Sequence, residues 1–182
     1  MATNQDILVT ISARFGGHLR ISEAADGQLV ITAPREEQMA LLRFLKEENG
    51  LQFDYLMDLF GVDYLEMGGE ERYGVIFSLY SRPLNHRVRV HIWVPEQDPH
   101  LESVTPLWSA ANWAEREVYD MYGITFTGHP NMSRILCPDD FSGFPLRKDF
   151  PLQGIGYREN FEKIENPKTK QDRRQRPPSG SA

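Results

Sequence analysis

Two runs decide the fold: Tyr73-Gly74-Val75-Ile76-Phe77-Ser78-Leu79-Tyr80 and Val88-Arg89-Val90-His91-Ile92-Trp93-Val94. Tyr73, Val75, Phe77 and Leu79 alternate along the first, and Val88, Val90, Ile92 and Val94 along the second. A period of two places alternate side chains on one face of a strand, so these residues should share a face that lies on a core. Arg87, Arg89 and His91 occupy the opposite face, which is polar or covered, as antiparallel sheets allow. Arg82-Pro83-Leu84-Asn85 supplies the connection between the two strands.

Upstream, Ile7-Leu8-Val9 with Ile11 and Phe15 predicts a short amphipathic helix that Gly16-Gly17 breaks. Residues 18–22 and 28–32 read as strands joined at Asp26-Gly27, a favoured hairpin dipeptide. A helix over about 35–48 can start at Pro34, carry its apolar stripe on Met39, Leu42, Phe44 and Leu45, and close at Asn49-Gly50. The run from Phe53 to Tyr64 fits strand or helix equally.

Downstream of Pro95 a loop leads to Trp108. A helix over about 113–122 follows, with Asn112 as its cap, Glu115 in its first turn and Gly123 as its stop. Arg116 and Asp120 stand four apart and can pair on that helix. Together these elements predict an α+β two-layer sandwich. Its sheet is mixed but mostly antiparallel, with helices on one face, and an extended C-terminal arm follows it.

The expected division is an α+β domain at 1–126, an arm at 127–165 and a basic, disordered tail at 166–182. Prolines 130, 138, 145 and 151 exclude long helices and central strands from the arm. Phe141, Phe144, Leu146, Phe150 and Leu152 are nevertheless too apolar for a free tail, so the arm should lie against something.

Charge follows the same division. Residues 1–126 hold 10 Lys/Arg against 19 Asp/Glu, and residues 127–182 hold 10 against 7. An acidic domain argues against nucleic acid as the main partner, because phosphate binding needs a positive surface. Cys137 is the single cysteine. No internal disulfide can form, and no iron–sulfur or zinc site can be built from this chain's thiolates alone. Neither a signal peptide nor an apolar run approaching the roughly 20 residues of a membrane span is expected.

Several residues could carry chemistry. Glu115, Glu117, Asp120 and His129 resemble a carboxylate–histidine metal set, but a di-iron bundle needs a second such helix and a Glu-x-x-His motif. Ordinary helix-surface charges are therefore expected there. His129 and Cys137 could form a base–nucleophile pair, although Pro138 follows the cysteine directly and no oxyanion loop flanks it. Gly154-Ile155-Gly156 is too short for a dinucleotide loop. Arg147-Lys148-Asp149, set between prolines and aromatics, suggests fixed contacts, and Arg173, Arg174 and Arg176 suggest a solvated basic tail.

A longer pattern embraces these residues. Glu115-Arg116-Glu117, then Asp120, His129 and Ile135-Leu136, resembles the signature of the C-type, or 30 kDa, subunit of the proton-pumping NADH:quinone oxidoreductase, respiratory complex I. Gly143-Phe144-Pro145-Leu146-Arg147-Lys148-Asp149-Phe150-Pro151-Leu152 resembles that family's second hallmark. Leu56-Met57-Asp58, Gly61-Val62-Asp63-Tyr64 and the segment from Trp108 to Asn112 are similar to it too. One departure is Ser133, where the family usually has a basic residue or proline.

The resemblance implies a cofactor-free structural subunit of the peripheral arm, with FMN, iron–sulfur clusters, NADH and quinone on other subunits. It would support electron transfer from NADH to quinone coupled to proton translocation. It further implies packing against the quinone-site D-type subunit and the cluster-bearing B-type and I-type subunits, with no nucleic acid. The location would be peripheral, on the cytoplasmic face of a bacterial inner membrane (the matrix side if mitochondrial), and membrane contact would come only through the complex. Glu115, Arg116, Glu117, Asp120, His129, Arg134, Arg147, Lys148 and Asp149 would then be structural and interface groups, with no catalytic residue among them. Related modules occur in membrane-bound hydrogenases and in oxidoreductases with other donors. A free-standing metal- or Cys/His-dependent enzyme and an RNA-binding module through the tail are the readings outside this class.

Overall fold

The computed structural model describes residues 4–154. Five strands form one sheet in the order β1-β2-β5-β4-β3. β1 (Arg20–Glu23) and β2 (Leu29–Ala33) make the expected hairpin, with Gly27 at φ 78 in its turn. β3 (Tyr55–Asp63), β4 (Tyr73–Ser81) and β5 (His86–Val94) form an antiparallel meander. β2 closes onto β5 in parallel, with Ile31 opposite Val90, which makes the sheet mixed.

Tyr73, Val75, Phe77 and Leu79 of β4 are fully buried, as are Val90, Ile92 and Val94 of β5. They share one core with Leu29 and Ile31 of β2 and with the apolar sides of two helices. α1 (Asn4–Phe15) contributes Ile7 and Ile11, and α2 (Gln38–Glu47), entered through a short 3-10 turn, contributes Leu41, Leu42 and Leu45. Burying each of these large side chains is worth about 1.5–3 kcal/mol.

The ambiguous run is strand β3. Its register shifts between Leu56 and Asp58, so Met57 bulges out of the ladder and spoils the alternation that would have marked the strand. On the face opposite the helices, His91 leans over Gly74 and packs against Tyr64 and Trp93.

The segment after Pro95 is not all loop. β6 (His100–Glu102) pairs in parallel with β7 (Thr125–Thr127), and between them runs α3 (Ala111–Tyr122). α3 begins two residues earlier than expected. Ala110 occupies the cap with no side-chain bond, and Asn112 lies within the first turn, its N–H donating to Ser109 O. Gly123 does stop the helix, at φ 76, with its N–H returned to Tyr119 O.

α3 lies close over β3 because Gly61 has no side chain: a Cβ there would meet the Tyr122 ring at 2.7 Å. Residues up to Phe150 form one compact unit, and a second begins at Pro151. The described part of the second unit is a turn in which Gly154 N–H donates to Pro151 O. The expectations for the end of the arm and for the basic tail, residues 155–182, lie outside the described residues.

Candidate functional site

The charged signature sits on α3, and its side chains run inward rather than outward. Glu115 and Asp120 are fully buried, and Glu117 is exposed. Helix-surface charge therefore describes Glu117 alone among the three acids.

Asp120 holds the arm. Its Oδ2 accepts the backbone N–H groups of Ile135 at 3.0 Å, Leu136 at 2.7 Å and Cys137 at 2.9 Å. Its Oδ1 accepts from the Arg134 guanidinium at 2.8 Å. Burial alone would raise this carboxyl, but the three N–H groups and Arg134 outweigh it and hold the pKa at about 2. Three consecutive amides converging on one oxygen form an anion nest, here filled by the chain's own carboxylate.

Arg116 does not pair with Asp120 four residues on. Its Nε donates to Ser133 O at 3.0 Å, and a terminal nitrogen donates to Ser133 Oγ at 2.9 Å. The guanidinium also stacks over Trp113 at 4.8 Å from the ring centre. The helix-local pairing loses because two long-range partners satisfy both residues better than one exposed pair worth a few tenths of a kcal/mol.

Arg147 caps the other end of α3. Its Nε donates to Tyr122 O at 2.7 Å, and Leu146 N–H reaches Met121 O at 3.2 Å. These two groups satisfy carbonyls that every helix leaves open at its C-terminus, and a cation there suits the helix dipole. The guanidinium lies between the rings of Phe144, at 4.5 Å, and Tyr73, at 5.3 Å. Gly123 makes this possible: a Cβ there would stand 2.6 Å from Phe144 and 2.7 Å from the Arg147 guanidinium.

A second buried carboxylate completes the anchorage. Asp63, at the end of β3, accepts Lys148 N–H at 2.9 Å and Leu65 N–H at 3.0 Å, and pairs with Arg72 at 3.2 Å. Burial opposes its charge, yet Arg72 and the two amides keep its pKa below the usual carboxylate range. Arg72 also pairs with Asp149 at 2.7 Å and with Glu96. The Lys148 side chain stays exposed.

Glu115 and His129 stand apart from this anchorage. Glu115 Oε1 accepts Val104 N–H at 2.7 Å, and Oε2 accepts the Ser103 hydroxyl at 2.7 Å. Burial without a cation pushes its pKa up to about 7. His129 Nδ1 accepts Asn131 N–H at 3.0 Å, which leaves Nε2 to carry the proton and donate to Asn112 O at 3.1 Å. Burial, with Asp120 beside it, pushes the Cys137 thiol up, which disfavours a reactive thiolate. Among the described residues no group of three or more His, Cys, Asp and Glu side chains could hold a metal ion.

Sequence reasoning missed Asp63, Arg72, Gly123 and Phe144 as parts of the anchorage. Asp63 ends an apolar run at the close of a strand, a place where a carboxylate needs a partner, but the partner lies 85 residues away.

The arrangement is an internal clamp. It ties an arm without regular structure to one helix and one strand end, and it leaves Trp113 at 65% exposure, Leu136 at 63% and Leu146 at 48%.

Residues 31–155 match the family model described as respiratory-chain NADH dehydrogenase, 30 Kd subunit. The chain is 40% identical over 154 residues to the NADH-quinone oxidoreductase C-type subunit of Geobacter sulfurreducens, covering 85% of this chain and 93% of that one. It is 44% identical over 149 residues to the corresponding subunit of Hyphomonas neptunium, covering 82% and 72%. Among solved structures, a trypsin-resistant fragment of Nqo5 aligns with a TM-score of 0.62 at 38% identity, over 69% of this chain and 97% of the fragment. A chain of an archaeal membrane-bound sulfane sulfur reductase shares the fold at a TM-score of 0.70 and 23% identity, over 81% and 85%. With the family model spanning β3, β4, β5, α3 and the clamped arm, the chain belongs to the 30 kDa subunit family of respiratory-chain NADH dehydrogenase.

Proposed function

We propose that this chain is the C-type subunit of a proton-translocating NADH:quinone oxidoreductase and that its part in the enzyme is structural. It holds neighbouring subunits in place while NADH oxidation, electron transfer through iron–sulfur clusters and quinone reduction occur on them. The observation that carries this reading is the clamped arm. Buried carboxylates and guanidinium groups fix its backbone, and Leu136 and Leu146 on that backbone stay exposed. An exposed Trp held on a fixed backbone, with apolar area around it, is the kind of anchor that subunit interfaces use.

The partners in this reading are the quinone-site D-type subunit and the cluster-bearing B-type and I-type subunits, and FMN and the clusters stay on other chains. No helix among the described residues is long and apolar enough to cross a membrane. Membrane association on the cytoplasmic face would therefore pass through the complex. The equivalent component of a related reductase with another electron donor would use the same clamp, because the donor binds elsewhere.

Arg147→Ala tests the structural role. It should lower the amount of intact complex several-fold in native gels while turnover per assembled complex stays at the wild-type value. Wild-type complex levels with reduced turnover per complex would overturn the reading. Purification of the chain as a monomer with its own activity would overturn it too.

A further inference from the structure

The clamp leaves one buried acid unused. Glu115 and His129 both have fully buried side chains, and their nearest atoms, Glu115 Oε2 and His129 Nε2, are 4.0 Å apart. That gap is too long for a hydrogen bond. Glu115 has two donors, Ser103 and Val104, and no cation. The charged groups on the surrounding elements are committed elsewhere. On α3, Arg116 turns to Ser133, and Asp120 is bound by Arg134. Lys46 of α2 donates to Leu107 O. Glu102, at the end of β6, is exposed. Among the described residues, His129 is the titratable group that faces Glu115.

We propose that Glu115 and His129 form a proton-controlled latch at the root of the arm, closed when the Glu115 carboxyl is neutral and re-formed around His129 when it ionises. In the closed state the protonated Glu115 places one oxygen on Val104 N–H and its hydroxyl on Ser103 Oγ, the pattern an amide would make. His129 Nε2–H then stays on Asn112 O. Loss of the proton to solvent leaves an uncompensated carboxylate in a place that water does not reach, which is costly.

The nearest relief is His129. A small swing moves its Nε2–H from Asn112 O to Glu115 Oε2. His129 Nδ1 accepts Asn131 N–H, which ties the ring to the backbone two residues on. The swing therefore carries residues 129–131 with it. These residues follow β7 and lead into the segment that Arg116 and Asp120 hold, so the movement reaches the point where the arm leaves the domain.

Burial raises the Glu115 pKa to about 7, which places the change near neutral pH. The sign is fixed by linkage. A carboxyl whose folded pKa lies above its unfolded value stabilises the closed form at low pH and loses that contribution as pH rises. Protection of the His129 and Asn131 amides against hydrogen exchange, corrected for intrinsic rates, should then fall by about tenfold per pH unit between pH 5 and 7 and level off above.

The test is hydrogen exchange on the full chain across pH 5–9, with the carboxyl signal of Glu115 followed by NMR. Glu115→Gln should keep the closed pattern at every pH and flatten the exchange profile of His129 and Asn131. Ser103→Ala removes the hydroxyl that donates to the ionised Oε2 and should move the wild-type midpoint upward. It also serves if the glutamine variant fails to fold. Titration of Glu115 in the ordinary carboxylate range, or an unchanged pH profile in Glu115→Gln, would overturn the latch. Neither outcome bears on complex assembly, so failure here leaves the structural role untouched.

Discussion

Replacing Asp120 by asparagine removes one charge and almost no volume, which isolates what the carboxylate does. Its pKa lies at about 2 against an ordinary 3.8. That depression corresponds to roughly 2–2.5 kcal/mol of extra stability for the ionised form in the folded chain, at about 1.4 kcal/mol per pH unit. Asparagine can still accept on its oxygen, but its NH2 group would face either the Arg134 guanidinium or all three N–H groups, donor against donor. A loss of about 2 kcal/mol is therefore expected, and it should fall on the arm. At that size the open arm becomes about 30-fold more populated.

Limited trypsin digestion reads this directly at Arg134, provided opening and closing are fast compared with cleavage. Cleavage there should accelerate about 30-fold in Asp120→Asn, and urea unfolding followed by Trp fluorescence should show a smaller change in the domain. The pH dependence has a fixed sign as well. Because the folded pKa is depressed, the contribution is complete above about pH 4 and disappears as pH falls towards 2, so wild type and variant should converge over that range. Equal cleavage of wild type and Asp120→Asn at neutral pH would refute the claim that this carboxylate holds the arm.

Two further substitutions probe the same clamp. Gly123→Ala places a Cβ at φ 76, within 2.6 Å of the Phe144 ring and 2.7 Å of Arg147. It should cost about 1–3 kcal/mol in urea midpoint and expose the arm to trypsin. Asp63→Asn leaves Arg72, which is 8% exposed, without its buried partner and should cost about 3 kcal/mol in thermal or urea unfolding. Here too the loss should shrink as pH falls below the ordinary carboxylate range, since the Asp63 pKa is also depressed.

The sheet was legible where the chain alternates and opaque where a local irregularity hides the period. β4 and β5 keep strict alternation, and Asp26-Gly27 marks its own turn. The bulge at Met57 puts apolar residues out of phase in β3, so the same run fits a helix. β6 has three residues between prolines, too few for any period, and it exists because β7 pairs with it. The charges of α3 were legible as a motif but not as contacts. The expectation of an Arg116–Asp120 pair used the one rule available within a helix. The real partners of both residues lie 14 to 18 positions further on, in a segment without periodicity. Asp63 and Arg72 show the same limit: their link to residues 148 and 149 depends on the whole sheet being in place.

These contacts also decide how the signature charges can act on a neighbour. Every buried backbone amide needs an acceptor, and an arm without helix or strand has only a few turn carbonyls of its own to offer. Asp120 supplies acceptors for Ile135, Leu136 and Cys137, and Asp63 supplies one for Lys148. Asp120 is fully buried with both oxygens occupied, and it cannot bind another chain without releasing the arm. In the proposed structural role, the side chains left exposed for a neighbour are Trp113, Leu136 and Leu146, together with the charges of Glu117 and Lys148. Arg147 would then govern assembly from behind, by fixing the backbone that presents Leu146. A lysine there keeps the charge near the end of α3 but cannot lie flat between Phe144 and Tyr73. Arg147→Lys should therefore resemble Arg147→Ala in complex yield. Recovery of wild-type yield by lysine would mean that charge, not the held geometry of the arm, is what the neighbour needs.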